Sequence, residues 1–507
     1  MKNTIIYTMT ASLALLLTAC TETTEIRPTG DDTKTFIDVS SEKVVFDADG
    51  GSVAIVVATN AKDWEYDSQG DWFSVTRQDD NTLLVDASIN AGAATLTGRI
   101  AVSCMSDEAS LTQEIAIVQR AERSVDLSAA GRANCYIART GGVYKFDATV
   151  KGNGGGDGRS EYAEAYGLSI EGAAYADLLW ESRHDGDKTM SCEIIDGSPV
   201  YRGGYVSFST GRSEGNAVIA LKDINDNILW SWHIWVCDNE ITTHDHIDSE
   251  GNVAARIMDR NLGALNNTPM DVGNRGMFYE WGRKDPFLPT RSPYYADTDG
   301  NNLPAYNKEN TSVGNGSGTW IYNGSARILP TPPGNIPFTV QHPMTYLQVS
   351  GHGDWYCYGG QDEAATHPGL WGDKKTIFDP CPPGYKVPGA DLYGIPAGNS
   401  SISTGGSPDE YDENGLSDSY YWNACKDLGR CWRNTGDYYP MVGNIYYSDY
   451  LDITISNYSG GMAFYWTSQE SADMTKSSAY YLRFNRNWCY CQLGAHDCAA
   501  QIRCVKE

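Results

Sequence analysis

The chain has 507 residues, which is long enough for three or four domains. Lys and Arg total 38 against 65 Asp and Glu, so the formal net charge is −27. Because this charge repels phosphate backbones, we expect no nucleic-acid partner. The large rings are mostly amphipathic, with 32 Tyr and 14 Trp against 11 Phe, and such rings suit half-exposed surfaces as well as β-rich cores.

Residues 1–19 have the order of an export signal: Lys2 precedes an apolar run at 13–17, and small residues follow. The tetrapeptide at 17–20, Leu-Thr-Ala-Cys, resembles the bacterial lipobox. That resemblance implies cleavage before Cys20 and lipidation of its thiol. An ordinary cleaved signal, in which Cys20 is incidental, is the alternative.

Residues 20–35 form the next segment. Residues 21–32 are polar, contain no aromatic side chain and cannot bury enough surface to fold, so we interpret 20–35 as a tether. Its acidic residues resemble the export signals of some Bacteroidota surface lipoproteins. Together with the lipid on Cys20, this resemblance implies a protein that is anchored in the outer membrane and faces the cell exterior.

Residues 36–121 alternate short apolar runs with turn residues, which predicts an antiparallel β-sandwich of immunoglobulin size. The order of landmarks in this segment resembles that of the BACON domain. The landmarks are Phe46, Gly50-Gly51-Ser52, Thr59-Asn60, Trp64, Trp72, Asn90, Arg99 and Val118-Gln119. The resemblance implies a module found at the front of surface lipoproteins and glycan-degrading enzymes, where it either contacts carbohydrate or acts as a spacer.

Residues 124–245 also contain apolar runs of strand length and predict a second β-sandwich domain. In the run 228–235, Trp230 and Trp232 alternate with polar residues, which predicts a strand with one aromatic face. We interpret these two rings as core residues, with a sugar-stacking surface as the alternative. The segment resembles one that precedes the C-terminal module of Bacteroidota surface and fimbrillin-like proteins. This resemblance does not assign an activity to the segment.

Residues 250–507 are rich in Gly, Asn, Tyr and Trp and have little long periodicity, which predicts an irregular α+β fold. Five segments resemble the Fibrobacter succinogenes major paralogous domain, a C-type-lectin-like family. These segments are 258–264 (Met-Asp-Arg-Asn-Leu-Gly-Ala), 278–283 (Phe-Tyr-Glu-Trp-Gly-Arg), 381–388 (Cys-Pro-Pro-Gly-Tyr-Lys-Val-Pro), 465–468 (Tyr-Trp-Thr-Ser) and 501–505 (Gln-Ile-Arg-Cys-Val). The resemblance implies a C-type-lectin-like domain with a disulfide bond from Cys381 to Cys504.

The 13 cysteines include Cys20, and the other twelve are an even number that permits disulfide bonds in an exported chain. Cys425 and Cys431 are candidates for a local bridge. Cys489 and Cys491 are also close in sequence, although neighbouring cysteines of one strand often cannot meet disulfide geometry. A zinc site is the competing interpretation, but the spacing lacks a paired Cys-x-x-Cys.

The sequence contains few motifs of known site chemistry. It lacks the Glu-Pro-Asn motif of calcium-dependent lectins and has Trp422-Asn423-Ala424 in place of their Trp-Asn-Asp. The segment His244-Asp245-His246 could place two imidazoles on one side of a strand, but no third ligand is near, so we interpret it as a polar interdomain linker. No phosphate-binding loop, nucleophile elbow or His-Glu-x-x-His motif occurs. We therefore expect no metal, no cofactor and no catalytic residues.

The resulting hypothesis is a mainly β protein, with immunoglobulin-like sandwiches ahead of an irregular α+β lectin-like domain, that binds extracellular glycan without catalysis. The glycan would be host mucin or dietary polysaccharide, held by stacking on exposed rings. The candidate rings lie in Gly- and Asn-rich segments: Trp320, Tyr322, Trp355, Tyr356, Trp371, Trp432 and Trp488. A fimbria-associated or host-protein-binding adhesin is the first alternative, and an enzyme with a site in the C-terminal domain is the second.

Overall fold

The computed structural model describes residues 34–106, 109–155, 161–183, 193–247, 252–289, 321–323, 334–348, 355–356, 369–393, 402–403, 429–431, 436–446, 454–457, 462–472, 478–485 and 489–507. The predicted export signal and Cys20 lie outside these ranges. The fold is mainly β, as the sequence predicts, and α1 (Glu161–Tyr166) and α2 (Ile336–Gln341) are short helices. Within the described ranges, no helix is long and apolar enough to span a membrane.

The first sandwich contains eight strands. They are β1 (Ile37–Val39), β2 (Lys43–Phe46), β3 (Gly51–Thr59), β4 (Trp64–Gln69), β5 (Phe73–Arg77), β6 (Thr82–Ala87), β7 (Leu96–Met105) and β8 (Ser110–Gln119). One sheet has the order β2-β8-β7-β4, and the other contains β5-β6-β3 with β1 paired to β3. Inward-facing residues such as Ile55, Val85 and Ile100 are fully buried and form one core.

The second module adds strands and helix α1. Its strands are β9 (Val125–Asp126), β10 (Cys135–Ala138), β11 (Val143–Asp147), β12 (Tyr175–Ser182), β13 (Val200–Arg202), β14 (Tyr205–Ser209), β15 (Gly215–Lys222) and β16 (Ile228–Val236). One sheet has the order β10-β16-β15-β12. The strands β13-β14-β11-β9 continue the β5-β6-β3 sheet of the first sandwich, which makes a sheet of eight strands with β1.

The junction between the first two modules is made by paired strands and charged side chains. Tyr201 of β13 lies opposite Ser52 of β3. Asp196 forms ion pairs with Lys43 at 2.7 Å and with Arg120 at 3.2 Å, and all three side chains are partly shielded from solvent. The two modules are therefore joined through a shared sheet as well as through the connecting chain.

The C-terminal module consists of short strands and helix α2. Its strands are β17 (Thr243–Ile247), β18 (Val253–Met258), β19 (Phe278–Glu280), β20 (Ile321–Asn323), β21 (Tyr346–Gln348), β22 (Tyr385–Lys386), β23 (Ile402–Ser403), β24 (Gly429–Cys431), β25 (Tyr438–Pro440), β26 (Asn444–Tyr446), β27 (Thr454–Asn457), β28 (Ala463–Glu470), β29 (Ser478–Phe484), β30 (Cys489–Ala495), β31 (Ala499–Gln501) and β32 (Val505–Lys506). The main sheet has the order β23-β30-β29-β28-β31-β26-β27, and β19 pairs with β31. A second sheet, β17-β18-β32-β22, brings the start and end of the module together.

Strand β16 is buried on both faces. Trp230 and Trp232 are core residues, in agreement with their interpretation from the sequence, and Trp235 on the opposite face is equally inaccessible. The hydroxyl of Tyr279 in the C-terminal module lies 3.0 Å from Nδ1 of His233. The second sandwich and the C-terminal module therefore share one hydrophobic core, to which β16 contributes side chains from both of its faces.

A disulfide bond joins Cys381 to Cys504, which confirms the pairing implied by the family resemblance. Both cysteines are fully buried and are separated by 123 positions in the sequence. The bond fixes the segment before β22 to the segment before β32. Cys431 lies on β24, but Cys425 lies outside the described residues, so the proposed local bridge between them stays a prediction.

Removal of the Cys381–Cys504 bond should destabilise the protein. We expect the Cys381→Ala/Cys504→Ala double variant to lose about 2–5 kcal/mol of unfolding free energy, because the bond closes a long loop. Chemical denaturation followed by tryptophan fluorescence measures the change. Reductant provides the control, since it should lower the midpoint of the wild type by more than that of the double variant, which already lacks this bond. Equal midpoints for the two proteins without reductant would contradict the prediction.

Candidate functional site

The structure corrects the expected exposure of three candidate stacking rings. Trp355 and Tyr356 are each 2% exposed, and Trp371 is 1% exposed. The indole of Trp355 donates to the carbonyl of Trp281 at 2.8 Å, and that of Trp371 donates to the carbonyl of Phe378 at 3.0 Å. Since a ring must be accessible to stack on a sugar, these three residues support the core instead.

The side chains of the other four candidate rings lie outside the described part of the structure. Trp320, Trp432 and Trp488 lie outside the described residues. Tyr322 lies on β20, which pairs in parallel with β21, but its side chain is outside the described part of the structure. Their role in glycan stacking stays a prediction.

A cavity of about 420 Å³ lies where the second sandwich meets the C-terminal module. We call it the tyrosine cleft. Its walls are helix α1 with residues 167–171, the first two residues of β16, and helix α2 through Pro337, Val340 and Gln341. Clefts between modules are common positions for ligand sites, because each module contributes a fixed wall.

Two tyrosines of α1 form an aromatic stack in the tyrosine cleft. Tyr162 and Tyr166 are four residues apart, which places them on one face of the helix. Their ring centroids are 4.8 Å apart and the planes differ by 21°. Tyr162 is 4% exposed and packs on Phe378 and Trp230, whereas Tyr166 is 52% exposed. Tyr162 covers one face of Tyr166, so the accessible surface of Tyr166 is available to a ligand.

Lys151 and Gly167 hold the end of α1. The ammonium of Lys151 donates to the carbonyls of Tyr166 at 2.9 Å and Gly167 at 3.0 Å. A cation at this end of a helix also interacts favourably with the helix dipole. Burial lowers the pKa of Lys151, although the carboxylate of Glu171 acts in the opposite direction. Gly167 has a φ of +66° and donates to the carbonyl of Ala163, a left-handed helix end that favours glycine.

The turn after α1 is held by backbone hydrogen bonds. The amide of Lys151 donates to the carbonyl of Leu168, and the amide of Ile170 donates to the carbonyl of Thr149, both at 2.8 Å. Ser169 and Glu171 are exposed on this turn and line the tyrosine cleft. Gln341 of α2 is exposed on the other wall. A hydroxyl, a carboxylate and an amide therefore lie around an aromatic ring, a combination that suits polyhydroxylated ligands.

Sequence reasoning did not identify this site. Its local signal is the segment 161–167, Glu-Tyr-Ala-Glu-Ala-Tyr-Gly, in which two tyrosines four residues apart precede a glycine. That pattern predicts a short helix with paired rings and a glycine end. The exposure of one ring and the burial of the other depend on Phe378 and Trp230, which are distant in sequence.

A second cavity, of about 490 Å³, lies beside the β17–β18 hairpin and is lined by Thr243, His244, Asp245 and Arg256. We call it the histidine pocket. The structure corrects the interpretation of 244–246 as a linker, because these residues form strand β17, which pairs with β18. Alternate residues of a strand share a face. The described part of the chain contains no group of three His, Cys, Asp or Glu that could hold a metal ion.

Both histidines of β17 approach one carboxylate. Nδ1 of His244 lies 2.5 Å from Oδ1 of Asp437, and Nε2 of His246 lies 3.5 Å from Oδ2. Asp437 and His246 are buried. Burial lowers the pKa of His246; Asp437 opposes this shift, whereas Arg503 and His244 add to it. The neutral form of His246 is therefore the form that the fold favours.

Comparisons with known proteins give no family for the chain. No protein-family model and no curated protein matches it. Similar solved structures include a Bacteroides ovatus GH5 xyloglucanase in complex with a XXXG heptasaccharide, at 17% identity and a TM-score of 0.17, covering 21% of this chain and 22% of that one. A chimeric titin Z1Z2 structure has 11% identity and a TM-score of 0.15, and the match covers 41% of this chain and 98% of that one. The endo-fucoidan hydrolase MfFcnA4 has 12% identity and a TM-score of 0.16, and the match covers 41% of this chain and 29% of that one. The chain thus spans about a fifth of the length of the xyloglucanase, and TM-scores this low carry no argument about function.

The pH dependence of stability tests the environment of His246. Because its folded pKa is lowered, the unfolded chain, in which the pKa of a histidine is about 6.5, binds the proton more tightly. The stability contribution is therefore present above about pH 6.5 and is lost as the pH falls toward the folded pKa. We expect the His246→Gln variant to show a shallower loss of unfolding free energy between about pH 7 and pH 5 than the wild type. His244→Gln keeps the buried imidazole of His246, so it should retain most of the pH dependence of the unfolding free energy. An unchanged pH dependence in His246→Gln would refute this account.

Proposed function

We propose that the protein is a non-catalytic, lipid-anchored surface protein that binds an extracellular glycan in the tyrosine cleft. The observation that carries this proposal is the half-exposed ring of Tyr166, stacked on the buried ring of Tyr162. The apolar face of a sugar ring packs on such a surface, while its hydroxyls reach polar groups at the rim. Ser169, Glu171 and Gln341 supply those polar groups.

The ring of Tyr166 is held in place by the ring of Tyr162, and this favours binding. Tyr162 lies 5.7 Å from Phe378 and 6.4 Å from Trp230, measured between ring centroids, so the lower ring of the stack belongs to the shared core. Lys151 fixes the end of the same helix through two hydrogen bonds. A ring that is already held in place loses little conformational freedom on binding, which lowers the entropic cost of association.

The proposed location at the cell surface rests on the N-terminal sequence. The resemblance of segment 17–20 to a lipobox implies a lipid on Cys20, and residues 20–35 would then link that lipid to β1. The resemblances of residues 36–121 to the BACON domain and of residues 250–507 to the Fibrobacter succinogenes major paralogous domain agree with this arrangement. The glycan would then be one that reaches the bacterial surface, such as host mucin or dietary polysaccharide.

Substitution of Tyr166 tests the binding site. We expect Tyr166→Ala to weaken binding to a glycan identified on an array by roughly tenfold, because the stacking surface is lost. Tyr166→Phe keeps the ring and should bind like the wild type. Ile89→Ala changes an exposed side chain of the first sandwich and controls for surface substitutions in general. Titration calorimetry gives the affinities, and wild-type affinity in a folded Tyr166→Ala protein would exclude this site.

Substitution of Cys20 tests the anchor. We expect Cys20→Ala to move the protein from the membrane fraction to the soluble fraction and to abolish incorporation of labelled fatty acid, because stable anchoring requires acyl chains. Addition of protease to intact cells separately tests surface exposure. Fatty-acid labelling that persists in Cys20→Ala would contradict the assignment of the lipidated residue.

A further inference from the structure

The charges around the tyrosine cleft are arranged unevenly. Among the described residues that line it, Lys151 is the basic side chain and Glu171 the acidic one. Lys151 is 7% exposed, whereas Glu171 is exposed at the surface. A ligand that approaches from solvent therefore meets a carboxylate before it meets an ammonium group.

The ammonium of Lys151 already has structural partners. It donates to the carbonyls of Tyr166 and Gly167 and lies 5.2 Å from the ring centroid of Tyr162. A sulfate or carboxylate of a ligand would have to draw this group away from the carbonyls that it caps, and those carbonyls would then lose their hydrogen bonds. Lys151 is therefore poorly placed to bind an anionic sugar.

The charge of the whole chain acts in the same direction. The formal net charge of −27 creates a negative potential that repels polyanions at a distance. Glu171 adds a local negative charge at the cleft. Sulfated and uronate-bearing glycans would meet both forms of repulsion, whereas an uncharged glycan would meet neither.

We propose that the tyrosine cleft selects uncharged glycans over sulfated or uronate-bearing ones, and that Glu171 determines this specificity. The inference rests on the proposed function. The carboxylate of Glu171 accepts hydrogen bonds from sugar hydroxyls, and such charge-assisted bonds are stronger than bonds between neutral groups. One residue thus favours the neutral ligand and disfavours the anionic one.

A glycan array with the full-length Cys20→Ala chain tests the inference. The array presents uncharged probes (xyloglucan and galactomannan oligosaccharides and neutral mucin O-glycans) beside anionic ones (fucoidan, polygalacturonate and sulfated mucin O-glycans). We expect hits among the uncharged probes, lost in Tyr166→Ala, with affinities that stay constant when the salt concentration is raised, because no charged ligand is attracted.

Variants of Glu171 identify the residue responsible. Glu171→Gln should weaken binding of an uncharged hit about tenfold, because the charge-assisted hydrogen bonds are lost. Glu171→Lys should gain binding to anionic probes. Glu164→Gln is the control, since Glu164 is exposed on α1, close in sequence to Glu171, but does not line the cleft, and it should bind like the wild type.

The outcomes separate the two proposals. Anionic hits that are lost in Tyr166→Ala would keep the cleft as a glycan site and overturn its preference for uncharged ligands. Uncharged hits with unchanged affinity in Glu171→Gln would overturn the role of Glu171. A folded protein without hits on any probe would overturn the proposed function, and this inference with it.

Discussion

The burial of β16 on both faces is the constraint on which the arrangement of the modules depends. A buried polar group is costly unless it is hydrogen-bonded, so most of the polar groups that a buried strand carries into the core have partners. Asn134 does this for Trp230: its Oδ1 accepts from the indole at 2.9 Å, while its Nδ2 donates to the carbonyls of Ile377 at 2.7 Å and Asp379 at 2.9 Å. One amide therefore connects the second sandwich to the C-terminal module, and separation of the two would break its hydrogen bonds to Ile377 and Asp379.

The same core positions the tyrosine cleft. Tyr162 contacts Trp230 from the second sandwich and Phe378 from the C-terminal module. Helix α2 supplies the facing wall from yet another part of the chain. Because both walls belong to one packed body, the distance between Tyr166 and Gln341 is set by the core rather than by the loops around it.

The sequence predicts those parts of the structure whose signals are local. The first sandwich is predictable because most of its strands bury one face; in β8, for example, Ile115 and Ile117 are buried while Glu114 and Ala116 are exposed. The bond from Cys381 to Cys504 follows from the family resemblance. The burial of Trp355 is not predictable in this way. Its Gly-rich surroundings suggest a surface loop, but its indole donates a hydrogen bond to Trp281, which lies 74 positions away. Tyr166 is missed for the same reason, because its accessibility depends on distant walls.

The sheet shared by the first two modules gives the protein a defined path for mechanical load. Under the proposed anchoring, a glycan held in the tyrosine cleft pulls against the lipid, and the force enters the folded chain at β1. Strand β1 pairs in an antiparallel register with β3, from Ile37 opposite Thr59 to Val39 opposite Val57, and β3 continues through β13 into the second module. Tension along β1 loads several hydrogen bonds at once, in shear, instead of opening them one by one. The first sandwich would thus act as a stiff coupling between the cell and its ligand under flow.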